Sequence, residues 1–214
     1  MLELPLFQGM SMSDLNEVVA RTKLGFKKTP QGKAIVSEGD AYTHILLLTS
    51  GTLKAVTRAD NGSYTLTETI SAPAVLEPER LFGFNQHFMR SYASSSACQF
   101  VTLSKAEVLR LTAHHEIFIL NLLNIISTQS QRLAHQPWRV KPQTIRQKIG
   151  RFVETHSMRP AGNKTLSIKM ETLAHEIAES RLNVSRELNK MQAEGLITLS
   201  RGLITIPALE HLLS

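Results

Sequence analysis

The sequence predicts an α+β fold in three parts: a strand-rich N-terminal half, a long helix, and a C-terminal pair of short helices closed by a β-hairpin. Three observations carry this. Between Leu24 and Leu103 short apolar runs alternate with turn signals at Gly32, Gly39-Asp40, Ser50-Gly51, Asp60-Asn61-Gly62 and Ala72-Pro73, the spacing of an all-β barrel. From Ala106 to Gln136 a helical pattern runs free of Gly and Pro. Between Glu171 and Gly195 two short apolar helical faces meet at a tight corner. With 214 residues the chain can bury two modest cores.

Leu4 to Met10 precede a short helix over Ser13 to Arg21, with Leu15, Val18 and Val19 on its apolar side. Strands are expected over Ile35-Val36, Ile45 to Leu48, Leu53 to Val56, Tyr64 to Thr69 and Phe100 to Leu103, with Asp60-Asn61-Gly62 turning a hairpin. The glycines between them read as turn geometry rather than chemistry. In the long helix Ile119, Leu122, Ile126, Gln129, Leu133 and Gln136 repeat at alternating steps of three and four, the seam of a two-stranded coiled coil. A homodimer is therefore expected. Ile117, Phe118, Leu123 and Ile125 lie off that seam and are expected against the barrel; a helix that only covers its own barrel is the plainer alternative. Pro137 and Pro142 then break the helix. The expected organisation is a β-roll domain over 1–105, a dimerisation helix over 106–136, a hinge over 137–142 and a C-terminal domain over 143–214.

In that last domain Thr144 to His156 forms a helix with Ile145, Ile149, Phe152 and Val153 inward. Its outer Arg146, Lys148 and Arg151 are either solvated charges or phosphate contacts. Leu166-Ser167-Ile168 reads as a short strand. Leu173, Ala174 and Ile177 form one helical face, and Val184, Leu188 and Met191 the next, with Ser180 placed to cap the second helix. The opposite face carries Arg181, Leu182, Ser185, Arg186 and Asn189. Two arginines near a helix N-terminus suit the DNA major groove, because a guanidinium can pair with both acceptors of a guanine edge and a leucine can touch a thymine methyl. Leu196 to Leu199, a Ser200-Arg201-Gly202 turn and Leu203 to Ile206 read as a hairpin wing. Arg181 and Arg186 are the candidate base readers. Ser180, Ser185, Asn189 and Arg201 are candidates for backbone or secondary contacts, and Thr172 for a phosphate. A solvated surface helix is the bland alternative.

Charge agrees with the placement. The formal net charge is +6, and from Trp138 onward twelve Lys/Arg stand against seven Glu, a net +5. Concentrated positive charge in the segment holding the helical corner is the footprint of a nucleic-acid binder. No run of about 18 apolar residues is present to span a membrane, and the opening MLELPLFQGM lacks the layout of a secretory signal, so a cytoplasmic protein is expected. The single Cys98 cannot form an intramolecular disulfide or a four-cysteine iron–sulfur cluster; a buried strand position is its plain reading.

The order of elements from Leu173 to Ile206, with Ser180-Arg181-x-x-Val184-Ser185-Arg186, resembles the C-terminal domain of the cyclic-AMP receptor and fumarate–nitrate regulator (CRP/FNR) family of bacterial transcription factors. Two positions depart from the family pattern. Leu182 stands where many members have a cytosine-reading glutamate, and Ala178 where the corner often has glycine. The resemblance implies a dimeric regulator reading a palindrome, with RNA polymerase as a further partner. Gly32-x-x-Ile35-x-x-x-Gly39-Asp40 followed by Leu48-x-x-Gly51-x-Leu53 likewise resembles the double-stranded β-roll of cyclic-nucleotide-binding domains. Such rolls hold the ribose with a glutamate and the phosphate with Arg-Ser/Thr about ten residues later, and Glu79 and Arg90-Ser91 stand at nearly that spacing. An ungapped alignment back from Ala97-Cys98, however, puts Phe88-Met89 on the arginine–serine positions, and Pro78 replaces the glycine before the glutamate. Cyclic AMP is therefore not the expected effector. An apolar pocket lined by Leu81, Phe82, Phe84, Phe88 and Met89 is expected instead, and the effector or cofactor is left unnamed. Two readings from other classes stay open. One is a cyclic-nucleotide-binding module acting through protein contacts. The other is a cupin-like metalloenzyme, which the roll's two isolated histidines, His44 and His87, equip poorly; no enzyme and no metal site are expected.

Overall fold

Residues 3–213 are described in the computed structural model; the expected outer limits at 1 and 214 lie outside them. The chain divides into two units. The first holds the chain up to Lys54 together with Ile70–Pro137, the second Ala55–Thr69 together with the chain from Trp138 onward.

The first unit opens with a 3₁₀ turn at Pro5–Phe7 and helix α1 (Met12–Arg21), whose N-cap Ser11 and N3 residue Asp14 form a reciprocal capping box. Leu15 and Val18 are buried as expected, whereas Val19 is 56% exposed. Eight strands follow: β1 (Gly25–Thr29), β2 (Ala34–Val36), β3 (His44–Ser50), β4 (Thr52–Arg58), β5 (Tyr64–Ser71), β6 (Ala74–Leu76), β7 (Ser91–Ser94) and β8 (Cys98–Ser104). One sheet runs β1-β8-β3-β6, and a second ladder runs β4-β7-β2. Strand β3 is buried on both faces from Ile45 to Leu48, which is why it reads as a continuous apolar run rather than an alternating one. Strands β1, β6 and β7 escape sequence reading. The first is an edge strand whose Phe26, Lys27 and Lys28 all face solvent, so backbone pairing with β8 and not periodicity makes it a strand.

Gly51 turns β3 into β4 at φ 94°, and a Cβ there would collide with the Ala97 carbonyl and the Cys98 sulfur. Gly51→Ala is expected to destabilise the first unit by at least about 2 kcal/mol, from the left-handed backbone plus overpacking. A chemical denaturation series measures it. Cys98 itself is buried.

The expected single long helix is two. Helix α2 (Lys105–His114) ends at His115, whose backbone is extended (φ −130°, ψ 100°), and α3 (Glu116–His135) restarts from it, followed by a 3₁₀ turn at Gln136–Trp138. The break aims Phe118 at Phe7, ring centroids 5.3 Å apart. This corrects part of the expected seam. Leu122 is 5% exposed within its own chain and packs inward with Phe118, whereas Ile119, Ile126 and Gln129 are half-buried and Leu133 is exposed. Leu123, expected against the barrel, is instead 51% exposed, and Ile117 is 36% exposed.

The second unit contains α4 (Ile145–His156), β9 (Lys164–Ile168), α5 (Met170–Glu176), α6 (Arg181–Ala193), the wing strands β10 (Thr198–Ser200) and β11 (Leu203–Ile206), and α7 (Glu210–Leu213). Its sheet runs β10-β11-β9-β5, so the outer part of the β4–β5 hairpin, which sequence reading left in the barrel, supplies its fourth strand. Tyr64 to Glu68 pair antiparallel with Ile168 to Lys164. Leu66 joins Ile149, Val153, Leu166, Val184, Leu188 and Met191 in one core. Tyr64 donates its hydroxyl to His156 Nε2 at 3.0 Å, while His156 Nδ1 lies 2.7 Å from the Phe152 carbonyl. Lys164 and Glu68 form an ion pair at 3.1 Å with side chains only 2% and 3% exposed.

Candidate nucleic-acid interface

Helices α5 and α6 are held at their corner by hydrogen bonds that cap both ends. The α5 C-terminus closes with Glu179 N–H donating to the Ala174 carbonyl and Ala178 N–H to the His175 carbonyl, which puts Ala178 in the left-handed region at φ 52°. The α6 C-terminus closes the same way around Gly195 at φ 74°. Alanine thus occupies at one corner the position that glycine fills at the other. Ala178→Gly is expected to stabilise the second unit by about 1 kcal/mol, since glycine escapes the Cβ clash but loses more chain entropy. A melting temperature raised by about 2–4 °C is the readout.

Ser180 caps α6, its hydroxyl oxygen accepting from Asn183 N–H at 3.2 Å. Val184, Leu188 and Met191 are fully buried, and this fixes which face of α6 remains outside. On that face Arg181, Leu182, Arg186 and Asn189 are exposed and Ser185 is half-buried. Arg181 lies 3.5 Å from Glu171, but both side chains are more than two-thirds exposed, so water screens the pair. Among the described residues Arg186 has no ion pair. Arg201 stands exposed in the wing turn beside Gly202 (φ 70°), and Thr172 is half-buried on α5.

The outer cations of α4 are partly exposed, and each has an acidic partner. Arg146 donates from Nε to Glu187 at 3.0 Å and from Nη2 to Glu194, 2.8 Å from its nearer oxygen, tying α4 to two points of α6. These hydrogen bonds, Glu194 first, hold the Arg146 guanidinium above its usual range and lower the Glu194 carboxyl. Lys148 reaches Glu179 at the corner, 2.6 Å away, and Arg151 sits 3.7 Å from Glu154. Sequence reading missed this brace because its partners are about 40 residues apart, beyond any local pattern.

The expected effector pocket does not assemble. Leu81 and Phe88 are in the core, with the Phe88 ring packed at a tilt against Tyr42, centroids 4.6 Å apart, while Phe82, Phe84 and Met89 are exposed. Phe82 lies under Lys105 Nζ, 5.3 Å from the ring centroid. Arg90 lies 3.6 Å from buried Glu77, and Ser91 accepts the Glu38 N–H at 3.0 Å. Glu79 is half-buried with one unpartnered carboxylate oxygen, and burial raises its pKa. Among the described residues no group of three or more His, Cys, Asp or Glu converges as metal ligands, and no helix is long and apolar enough to cross a membrane.

Residues 140–214 match the family model of the Crp-like helix-turn-helix domain. The whole chain is similar in fold to the Thermus thermophilus catabolite activator protein, with 18% identity, 98% of each chain covered and a TM-score of 0.54. It is similar to a structure assigned as a transcriptional regulator of the Crp/Fnr family from Eubacterium rectale, at 20% identity, 100% and 99% coverage and a TM-score of 0.56. A third is the c-di-GMP-responsive global regulator CLP of Xanthomonas campestris, at 14% identity, 92% and 99% coverage and a TM-score of 0.55. No curated protein matches the sequence. The fold resemblance drawn from Leu173 to Ile206, and the β-roll drawn from the glycine pattern, are both borne out.

Proposed function

Because residues 140–214 are a Crp-like helix-turn-helix domain on a chain with the fold of Crp-type regulators, we propose that this protein is a cytoplasmic, homodimeric transcription regulator that reads a palindromic DNA site. The observation that carries this is the outer face of α6, where Arg181 and Arg186 stand exposed on a helix whose inner face is locked into the core. Arg181 and Arg186 read base edges, Leu182 meets a thymine methyl, and Ser180, Ser185, Asn189, Thr172 and Arg201 contact backbone or secondary positions.

The dimer is supported by α3. With Phe118 and Leu122 turned inward, its remaining stripe is Ile119, Leu123, Ile126, Ser130 and Leu133, at steps of four and three and apolar except for Ser130. Leu123 and Leu133 are 51% and 58% exposed in the single chain, a surface that a second copy covers. Two heads about 34 Å apart then read successive turns of the duplex. The roll serves as the effector domain, with a ligand other than cyclic AMP, and RNA polymerase is the partner through which a bound dimer acts on transcription.

Selection of bound duplexes from a random pool tests the reading. The expected product is a two-fold symmetric consensus with half-sites about 10 base pairs apart, bound by dimers in sedimentation. Monomers that enrich no sequence overturn it.

A further inference from the structure

Two guanidinium groups of the roll, those of Arg80 and Arg90, are already paired from within. Glu77, at φ 41° and 2% exposed, sits just before the 3₁₀ turn Pro78–Arg80. Its carboxylate lies 3.6 Å from Arg90 Nη1 and 3.7 Å from Arg80 Nε, and it accepts the Met89 N–H at 2.8 Å and the Tyr92 hydroxyl at 2.9 Å. Two hydrogen-bond donors and two guanidiniums thus converge on one buried anion. Arg80 and Arg90 are themselves largely covered, with side chains 20% and 14% exposed. With Glu79 beside them, the cluster contains two carboxylates and two guanidiniums and balances to zero.

Two consequences follow from elementary electrostatics. A phosphate placed against Arg90 meets a guanidinium already drawn to an internal carboxylate 3.6 Å away, and it brings a negative charge toward a carboxylate that cannot retreat into water. The Tyr92 hydroxyl adds to the second effect: burial first, and Glu77 next, keep it protonated, so it remains a donor to Glu77.

We infer that Glu77 is a built-in counter-anion which occupies the arginine site of the roll, and that this one residue sets the roll against anionic effectors. The inference deepens, and rests on, the reading that cyclic AMP is not the effector. Its converse is testable: removing the charge of Glu77 while keeping its shape uncovers an anion site on Arg80 and Arg90.

The full chain and the Glu77→Gln variant are titrated by calorimetry with inorganic phosphate and, separately, with cyclic AMP. The wild type is expected to bind neither, and Glu77→Gln to gain affinity for at least phosphate by about tenfold or more, the worth of one charge-assisted contact pair. Glutamine keeps one carbonyl oxygen to accept the Met89 N–H, and its amide NH2 can donate to the Tyr92 hydroxyl oxygen, while the two guanidiniums become a net positive pair. Should that variant lack a cooperative melt, Glu77→Asn, which also removes the charge, keeps a neutral amide acceptor and suits the left-handed backbone at that position, carries the same expectation. Wild-type binding of cyclic AMP overturns both this inference and the effector reading. A silent wild type with no gain in a folded variant overturns the role of Glu77 alone. A gain for phosphate and not for cyclic AMP supports the charge argument and shows that the ribose and base lack a seat.

Discussion

Replacing Lys164 by methionine is expected to destabilise the second unit by about 3–5 kcal/mol, the cost of leaving a buried charge without its partner. Lys164 Nζ lies 3.1 Å from Glu68 Oε1 and donates to the Ala161 carbonyl at 2.8 Å. Glu68 in turn accepts the Met158 N–H at 2.8 Å. Methionine preserves the length and the packing, so the loss reports on Glu68 stranded in the interior rather than on a cavity. Adding Glu68→Gln to Lys164→Met removes the stranded charge while keeping an acceptor for Met158. The double variant is therefore expected to be more stable than the single one, an order that a simple loss of contacts would not produce. Urea midpoints of the four proteins in the cycle measure it. The pair also fixes register. Leu66 faces Leu166 across β5 and β9, and a one-residue slip of either strand would turn its leucine out of the core and part Lys164 from Glu68, because each leucine shares a face with the charged residue two positions away.

That pair shows where sequence reading stops. The corner, the cap Ser180, the buried face Val184–Leu188–Met191 and the wing turn at Arg201-Gly202 are legible because each is encoded within about ten residues, by periodicity, capping or turn chemistry. Helix α3 shows the intermediate case. Its period is legible, but which of two neighbouring stripes faces inward is not, because Ile119–Leu122 and Ile119–Leu123 both satisfy a step of three or four. Phe7 settles it by attracting Phe118. The fourth strand of the winged sheet, the Arg146–Glu187–Glu194 brace and the carboxylate behind Arg90 all join residues distant in the chain. Arg90-Ser91 reads locally as half of a phosphate site, and only the burial of Glu77 changes its meaning.

The second large effect concerns DNA. Arg186→Ala is expected to cost about 1–3 kcal/mol for each half-site. In a symmetric dimer the change occurs twice, so affinity for the selected palindrome should fall by roughly 30-fold to 20,000-fold. Arg181→Ala should cost less. Arg181 must leave Glu171 to reach a base, whereas Arg186 gives up no ion pair among the described residues. The exchange also predicts that Glu171→Gln strengthens binding slightly, by removing both a competitor for Arg181 and a negative charge near the phosphates. Both arginines are solvent-exposed, so melting of the arginine variants should stay within about 0.5 kcal/mol of the wild type. Random duplex supplies the control. If these side chains read bases, non-specific affinity changes little, and chiefly through the salt slope. If they only neutralise phosphates, specific and random DNA lose equally. Leu182 makes the argument sequence-specific. At 59% exposed it offers a methyl contact to thymine, and Leu182→Glu places an acceptor where a cytosine amino group can donate. The variant selected on the same random pool should therefore shift one position of each half-site from thymine toward cytosine, and leave the positions read by Arg181 and Arg186 unchanged.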